Sequence, residues 1–138
     1  MTAVPSSPRR DVPLILLVED HQDTRQMYAE FLGMGFEVMT AADGEQGLEA
    51  ARLHRPDLII TDLSLPGIDG FQLIARVRED DAFRSLPIIC LSGYGGQAHE
   101  VRAQAAGCDR ILQKPCMPDE LAQVATELIH DAARRENP

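Results

Sequence analysis

Five residues in this chain of 138 could do chemistry together: the pair Glu19-Asp20, then Asp62, Ser92 and Lys114. Each closes or follows a short apolar run, so a fold that lined those runs up would bring all five to one rim. Carboxylates brought together repel. At an effective dielectric of ~20 and about 5 Å separation, each pair stands against the fold by roughly 3 kcal/mol. Three such pairs are a large fraction of a domain's stability, so something positive must share the place: Lys114, a divalent cation, or both. Oxygen ligands with no His or Cys at the same ends favour a hard ion such as Mg²⁺, which keeps several waters and partners phosphate. Lys114 can then clamp phosphoryl oxygens as a point charge, with the Ser92 hydroxyl donating to another. One carboxylate is left as nucleophile, because aspartate can form an acyl phosphate. Asp62 is the candidate, since it ends the central run. The loop after it, Leu-Ser-Leu-Pro-Gly-Ile-Asp-Gly at 63–70, is Gly- and Pro-rich and reads as exposed.

The elements that must position these groups alternate in kind. Continuous apolar runs at 14–18, 57–61 and 87–91 read as strands buried on both faces. Residues 36–40 alternate as an edge strand would, and 110–113 is a shorter fifth candidate. Between them lie segments with helical spacing: Thr24, Met27, Tyr28 and Phe31; Leu48 and Ala51; Phe71, Ile74 and Val77; and Leu121, Val124, Ala125 and Leu128. Asp43 and the Pro118-Asp119-Glu120 run read as helix starts, since carboxylates favour the positive end of a helix. Met27, Phe31 and Leu32 are expected in the core. Segment 97–106 offers only Ala98, Val101 and Ala105, so it is expected to be held loosely. Strand and helix alternating five times predict an α/β fold with a doubly wound parallel sheet covered on both faces. In such a sheet the strand carboxyl ends share one edge, where ligands bind.

Composition narrows the function classes. Thirteen basic against 22 acidic residues leave a net charge of −9, which argues against direct nucleic-acid binding. The length suits one domain, with residues 1–12 as a tail, 13–134 as the folded unit and 135–138 as a second tail. Arg9-Arg10 precede an apolar run of only five residues, too short for an export signal. No stretch approaches the ~20 apolar residues of a membrane span, so a cytoplasmic location is expected. Cys90, Cys108 and Cys116 have no CxxC spacing and read as small buried hydrophobes rather than a disulfide framework. His21, His54, His99 and His130 share no metal-ligand spacing and read as solvated, with His21, beside Asp20, the one to watch.

Taken in order, Glu19-Asp20, the stretch Asp62-Leu-Ser-Leu-Pro-Gly-Ile-Asp-Gly70, Ser92-Gly93 and Lys114-Pro115 resemble the receiver domain of two-component response regulators. The resemblance covers nearly the whole chain. It implies a flavodoxin-like, five-stranded sheet of order 2-1-3-4-5. It also implies Mg²⁺-dependent transfer of a phosphoryl group from a sensor histidine kinase or phosphotransfer protein onto Asp62. By position, Asp20 and Asp62 would be metal ligands, Glu19 would act through water, and Ser64 would offer its backbone carbonyl. Ser92 and Lys114 would hold the phosphoryl oxygens, and Lys114-Pro115 would be a cis peptide. Two positions depart from the pattern. Ile111 stands where the family commonly has a switching aromatic ring, so a signal would travel by loop and helix shifts. Cys116 stands where Phe often follows Lys-Pro. Tyr94, two residues past Ser92, would screen the site from water and so modulate the lifetime of the phosphoryl group.

The reading is a stand-alone phosphorylation switch acting through an unknown downstream protein, or a phosphorelay intermediate, and not an enzyme beyond its own phosphorylation and dephosphorylation. Three alternatives stay open. A Mg²⁺-dependent phosphatase or phosphotransferase using an aspartyl phosphate would want a second acid where Ser64 stands. A flavin carrier would want a phosphate-cradling loop where Glu19-Asp20-His21 stands. A receiver-like module that is never phosphorylated would keep the same residues.

Overall fold

The computed structural model describes residues 11–93 and 96–136. Five strands and five helices alternate: β1 (Leu14–Val18), α1 (Gln22–Leu32), β2 (Glu37–Ala41), α2 (Gly44–His54), β3 (Leu58–Asp62), α3 (Gly70–Arg78), β4 (Ile88–Ser92), α4 (Gln97–Ala106), β5 (Arg110–Gln113) and α5 (Pro118–Glu136). A 3-10 turn at Asp81–Phe83 follows α3. The strands form one parallel sheet of order β2-β1-β3-β4-β5, and α5 runs two residues past the expected boundary at 134.

Two buried clusters fill the faces of the sheet. Ile15, Leu17, Ile60 and Leu91 point toward α1 and α5, where Tyr28, Leu32, Leu121 and Ala125 meet them. Leu16, Val18, Ile59 and Ile88 point the other way, under α2, α3 and α4. This is the alternation of side chains along a strand, and covering both faces is why the central strands are apolar at almost every position.

Helix ends are set by polar side chains. Asp43 and Asp69 accept the amides of Gln46 and Gln72, each satisfying a helix-start donor. The Asp69 amide in turn donates to Gln72 Oε1, completing a capping box. His21 caps α1 by accepting the Thr24 amide at Nδ1, 3.3 Å.

The sequence expectations need four corrections. Strands β2, β3 and β4 each begin one residue later than their apolar runs. At β3 the reason is visible: Asp57 caps the start of the neighbouring strand, its carboxylate accepting the Leu14 amide at 2.8 Å. Met27 is 42% exposed, because Tyr28 and Leu32 take the buried face of α1. On α4 the buried residue is Ala103, whereas Ala98, Val101 and Ala105 are exposed. His99 is partly buried rather than solvated, its ring 6.0 Å from that of Phe71.

Candidate functional site

Ending β3 on Asp62 and β4 on Ser92, with Glu19 just past β1 and Lys114 just past β5, brings the chemistry to the carboxyl edge of the sheet. Lys114 Nζ lies 2.6 Å from Asp62 Oδ2 and 2.9 Å from Glu19 Oε1. Asp20 joins them: one carboxylate oxygen from each of Glu19, Asp20 and Asp62 lies within 4.8 Å of the others. Glu19 is 1% exposed and Asp62 6%, while Asp20 is exposed. Two buried acids therefore share a single ammonium, with an open acid beside them.

The electrostatics follow from burial. Desolvation holds the Glu19 carboxyl above its ordinary value; the Lys114 hydrogen bond and the His21 amide pull it down, and the charge of Asp62 pushes it up again. For Lys114, burial alone would lower the ammonium. Its hydrogen bonds to Asp62 and Glu19, and the charges behind them, prevail and hold it above the ordinary lysine value.

Backbone packing fixes the groups. The Ser64 amide donates to Asp62 Oδ1 at 3.1 Å, and the His21 amide to Glu19 Oε2 at 3.1 Å. The Lys114 amide donates to the Ser92 carbonyl at 2.7 Å, locking the end of β5 to the end of β4. Gly70 opens α3 pressed against Asp62, where a Cβ would collide with the Asp62 carbonyl oxygen. The Lys114-Pro115 peptide is cis.

The donor set suits a hard divalent ion: three carboxylates, all oxygen, with no thiolate or imidazole among the grouped ligands. Ser92 is buried at the same edge, and Ile111 is partly buried against the cluster under α2, α3 and α4. Tyr94 lies outside the described residues.

Sequence reasoning missed Arg25. Its guanidinium donates to the Glu19 carbonyl at 2.8 Å and more weakly toward that of Asp20 at 3.4 Å, bracing the acidic turn from α1. A signal was present: a cation in the first turn of a helix opposes the helix dipole and so calls for a local acceptor.

Comparison with known proteins agrees with this geometry. The family model described as "Response regulator receiver domain" matches residues 15–126. Response regulator Rre1 of Synechocystis is 34% identical over 117 residues, 83% of this chain and 51% of that protein. The chain thus spans about half the length of that relative. The polar-differentiation response regulator DivK of Brucella anthropi is 27% identical over 86% of this chain and 97% of its own length. Among solved structures, the chemotaxis response regulator CheY4 of Vibrio cholerae has a TM-score of 0.80 at 30% identity, covering 85% of this chain and 98% of that one. A putative response regulator from Chloroflexus aurantiacus reaches a TM-score of 0.82 at 34% identity, covering 87% and 99%.

Proposed function

Because the chain belongs to the response regulator receiver family, we propose that Asp62 accepts a phosphoryl group from the phosphohistidine of a sensor kinase or phosphotransfer protein. The observation that carries this reading is the sharing of Lys114 between Asp62 and Glu19 at 2.6 and 2.9 Å, with Asp20 beside them. Three carboxylates with one ammonium are net negative, so such a cluster suits a hard cation that would offset an arriving anion while one carboxylate is left to react.

In the reaction an Asp62 oxygen bonds to phosphorus as the donor's N–P bond breaks, and the electron pair returns to the histidine. Lys114 holds the Asp62 carboxylate in place beforehand and is positioned to follow the new charge onto the phosphoryl oxygens. Ser92, buried at the end of β4, would offer its hydroxyl to another of them. Asp20, Asp62 and the Ser64 carbonyl would hold Mg²⁺, with Glu19 acting through water, and the ion would offset the charge of the phosphoryl group. Arg25 keeps the Glu19-Asp20 turn in place.

The receiver unit is taken as residues 13–134, acting in the cytoplasm as a switch rather than as an enzyme on separate substrates. Receiver domains are in general signalling switches, and among the described residues no helix is long and apolar enough to cross a membrane. Docking of the donor is assigned to the surface beside Asp62. Met27 on α1 and Met117 after Lys114-Pro115 are 42% and 64% exposed, and each would offer an adaptable apolar contact. With Ile111 in place of an aromatic ring, the phosphorylated state is passed on by movement of the β4–α4 region. Helix α4, with Ala103 its one buried residue, is lightly held. Output runs through a partner protein, as effector or relay intermediate.

Incubation with acetyl phosphate or phosphoramidate and Mg²⁺, read by intact mass, tests this. The protein gains one phosphoryl group, and Asp62→Ala or a chelator abolishes the gain. A gain that survives in Asp62→Ala overturns the assignment.

A further inference from the structure

Lys114 is the only lysine in the chain, and its flexible four-carbon stem leaves the place of the ammonium to the backbone that carries it. On one side that backbone is held by the Ser92 carbonyl, which accepts the Lys114 amide at 2.7 Å. On the other side, two residues on, the Cys116 carbonyl accepts the Tyr28 hydroxyl at 2.7 Å, across 88 positions of the chain. Pro115, between them, has no N–H to give. Tyr28 is 3% exposed and Cys116 5%, and both belong to the cluster shared by α1 and α5. Where the family often has Phe, this chain has a small residue whose carbonyl is met by a ring from α1.

We propose that Tyr28 is a positioning residue for Lys114, setting where the ammonium stands between Asp62 and Glu19. The role presupposes the phosphoryl transfer onto Asp62 proposed for this site. Arg25 and Tyr28 lie three residues apart on α1 and are therefore neighbours on its surface. Arg25 donates to the Glu19 carbonyl at 2.8 Å, and Tyr28 donates to the loop that follows Lys114. One helix thereby holds the backbone behind both partners of the 2.9 Å contact between Lys114 and Glu19.

Tyr28 acts only through Lys114, because its hydroxyl is spent on a main-chain carbonyl. Without that hydroxyl the buried Cys116 carbonyl loses its donor, and the loop must shift or admit water to replace it. Lys114 shifts with the loop. Transfer is sensitive to such a change, since misplacing a reacting group by about 1 Å can slow a reaction about 100-fold.

Full-length protein labelled with ¹⁵N-lysine gives one side-chain ammonium signal in nuclear magnetic resonance, because the chain has no second lysine. The signal is recorded in the cold and in chelator for the parent, Tyr28→Phe and Ala29→Gly. Tyr28→Phe keeps the ring that fills the core and removes only the hydroxyl. Ala29→Gly weakens α1 through a poorer helix former and keeps the hydroxyl. Tyr28→Phe should shift and broaden the ammonium signal, and Ala29→Gly should leave it in place. With acetyl phosphate and saturating Mg²⁺, Tyr28→Phe should gain its phosphoryl group about tenfold more slowly, and Ala29→Gly at the parent's rate. An ammonium signal in Tyr28→Phe like the parent's would overturn the proposal. So would the parent's rate in Tyr28→Phe, or an equal loss of rate in Ala29→Gly. A parent protein that gains no phosphoryl group would instead overturn the transfer onto Asp62, and the ammonium signals would still show whether Tyr28 places Lys114.

Discussion

Lys114 and Asp62, 52 residues apart in the chain, are joined at 2.6 Å across the carboxyl edge of the sheet. The same ammonium serves Glu19. Removing it leaves two buried carboxylates facing each other with no counter-charge. Breaking a buried pair from one side usually destabilises by about 3–5 kcal/mol, and the partial exposure of Lys114 reduces that figure. In chelator, Lys114→Met should melt several degrees below the parent protein, which corresponds to about 2 kcal/mol. Added Mg²⁺ should then raise its melting temperature more than it raises the parent's, by ligand linkage. A variant that melts like the parent in chelator would remove Lys114 from its assigned place.

Tyr28 supplies a pH dependence. Its hydroxyl donates to the Cys116 carbonyl at 2.7 Å from a buried position on α1, and burial chiefly, with the charge of Cys116 second, raises its ionisation above the ordinary 10.0. A proton held more tightly in the folded state stabilises fully below the unfolded value and is lost as pH rises through the folded one. Stability should therefore fall above about pH 10, with Lys114 adding to the loss by the same sign. Tyr28→Phe should destabilise by about 1 kcal/mol at neutral pH and flatten the alkaline decline. Denaturant melts at pH 7 and above pH 10 check both, and an unchanged alkaline slope would contradict the assignment.

Gly70 is expected to be intolerant of any side chain. A Cβ there meets the backbone of Asp62 and Leu63 rather than a flexible side chain, so relief requires moving the loop that presents Asp62. Gly70→Ala should destabilise by about 1–3 kcal/mol through overpacking and slow phosphorylation by acetyl phosphate. Unaltered stability and rate would show that Asp62 is not positioned through α3.

What the sequence made legible follows from how local each signal is. The bounds of β1 and β5 coincide with their apolar runs, and Glu19, Asp20, Asp62, Ser92 and Lys114 fall where strand ends predict. Burial on both faces leaves such strands little choice of residue. The late starts of β3 and β4 were hidden because the roles of Asp57 and Pro87 belong to neighbouring strands: the Asp57 carboxylate caps β1, and the Pro87 carbonyl accepts from Ile59. Helix faces failed where apolar spacing was ambiguous. Met27 and Tyr28 are adjacent, and tertiary packing chose the tyrosine. On α4 the weak pattern pointed to the wrong face, and the small Ala103 carries the contact. Arg78 escaped notice altogether, since its partners are carbonyls. It reaches Gly107, Phe83 and Leu86 as well as the Asp109 carboxylate, pinning α3 to two loops. Contacts to distant backbone leave no trace in residue spacing.

The central claim is that the acyl phosphate forms on Asp62, and borohydride trapping tests it most directly. Protein treated with phosphoramidate and Mg²⁺ is reduced, digested and sequenced by tandem mass spectrometry. Reduction of an aspartyl phosphate converts that one residue to homoserine, and the account places the conversion at position 62 alone, absent when Mg²⁺ is withheld. Homoserine at position 20 or at any other aspartate, or phosphate found on a histidine or serine with Asp62 intact, would contradict it.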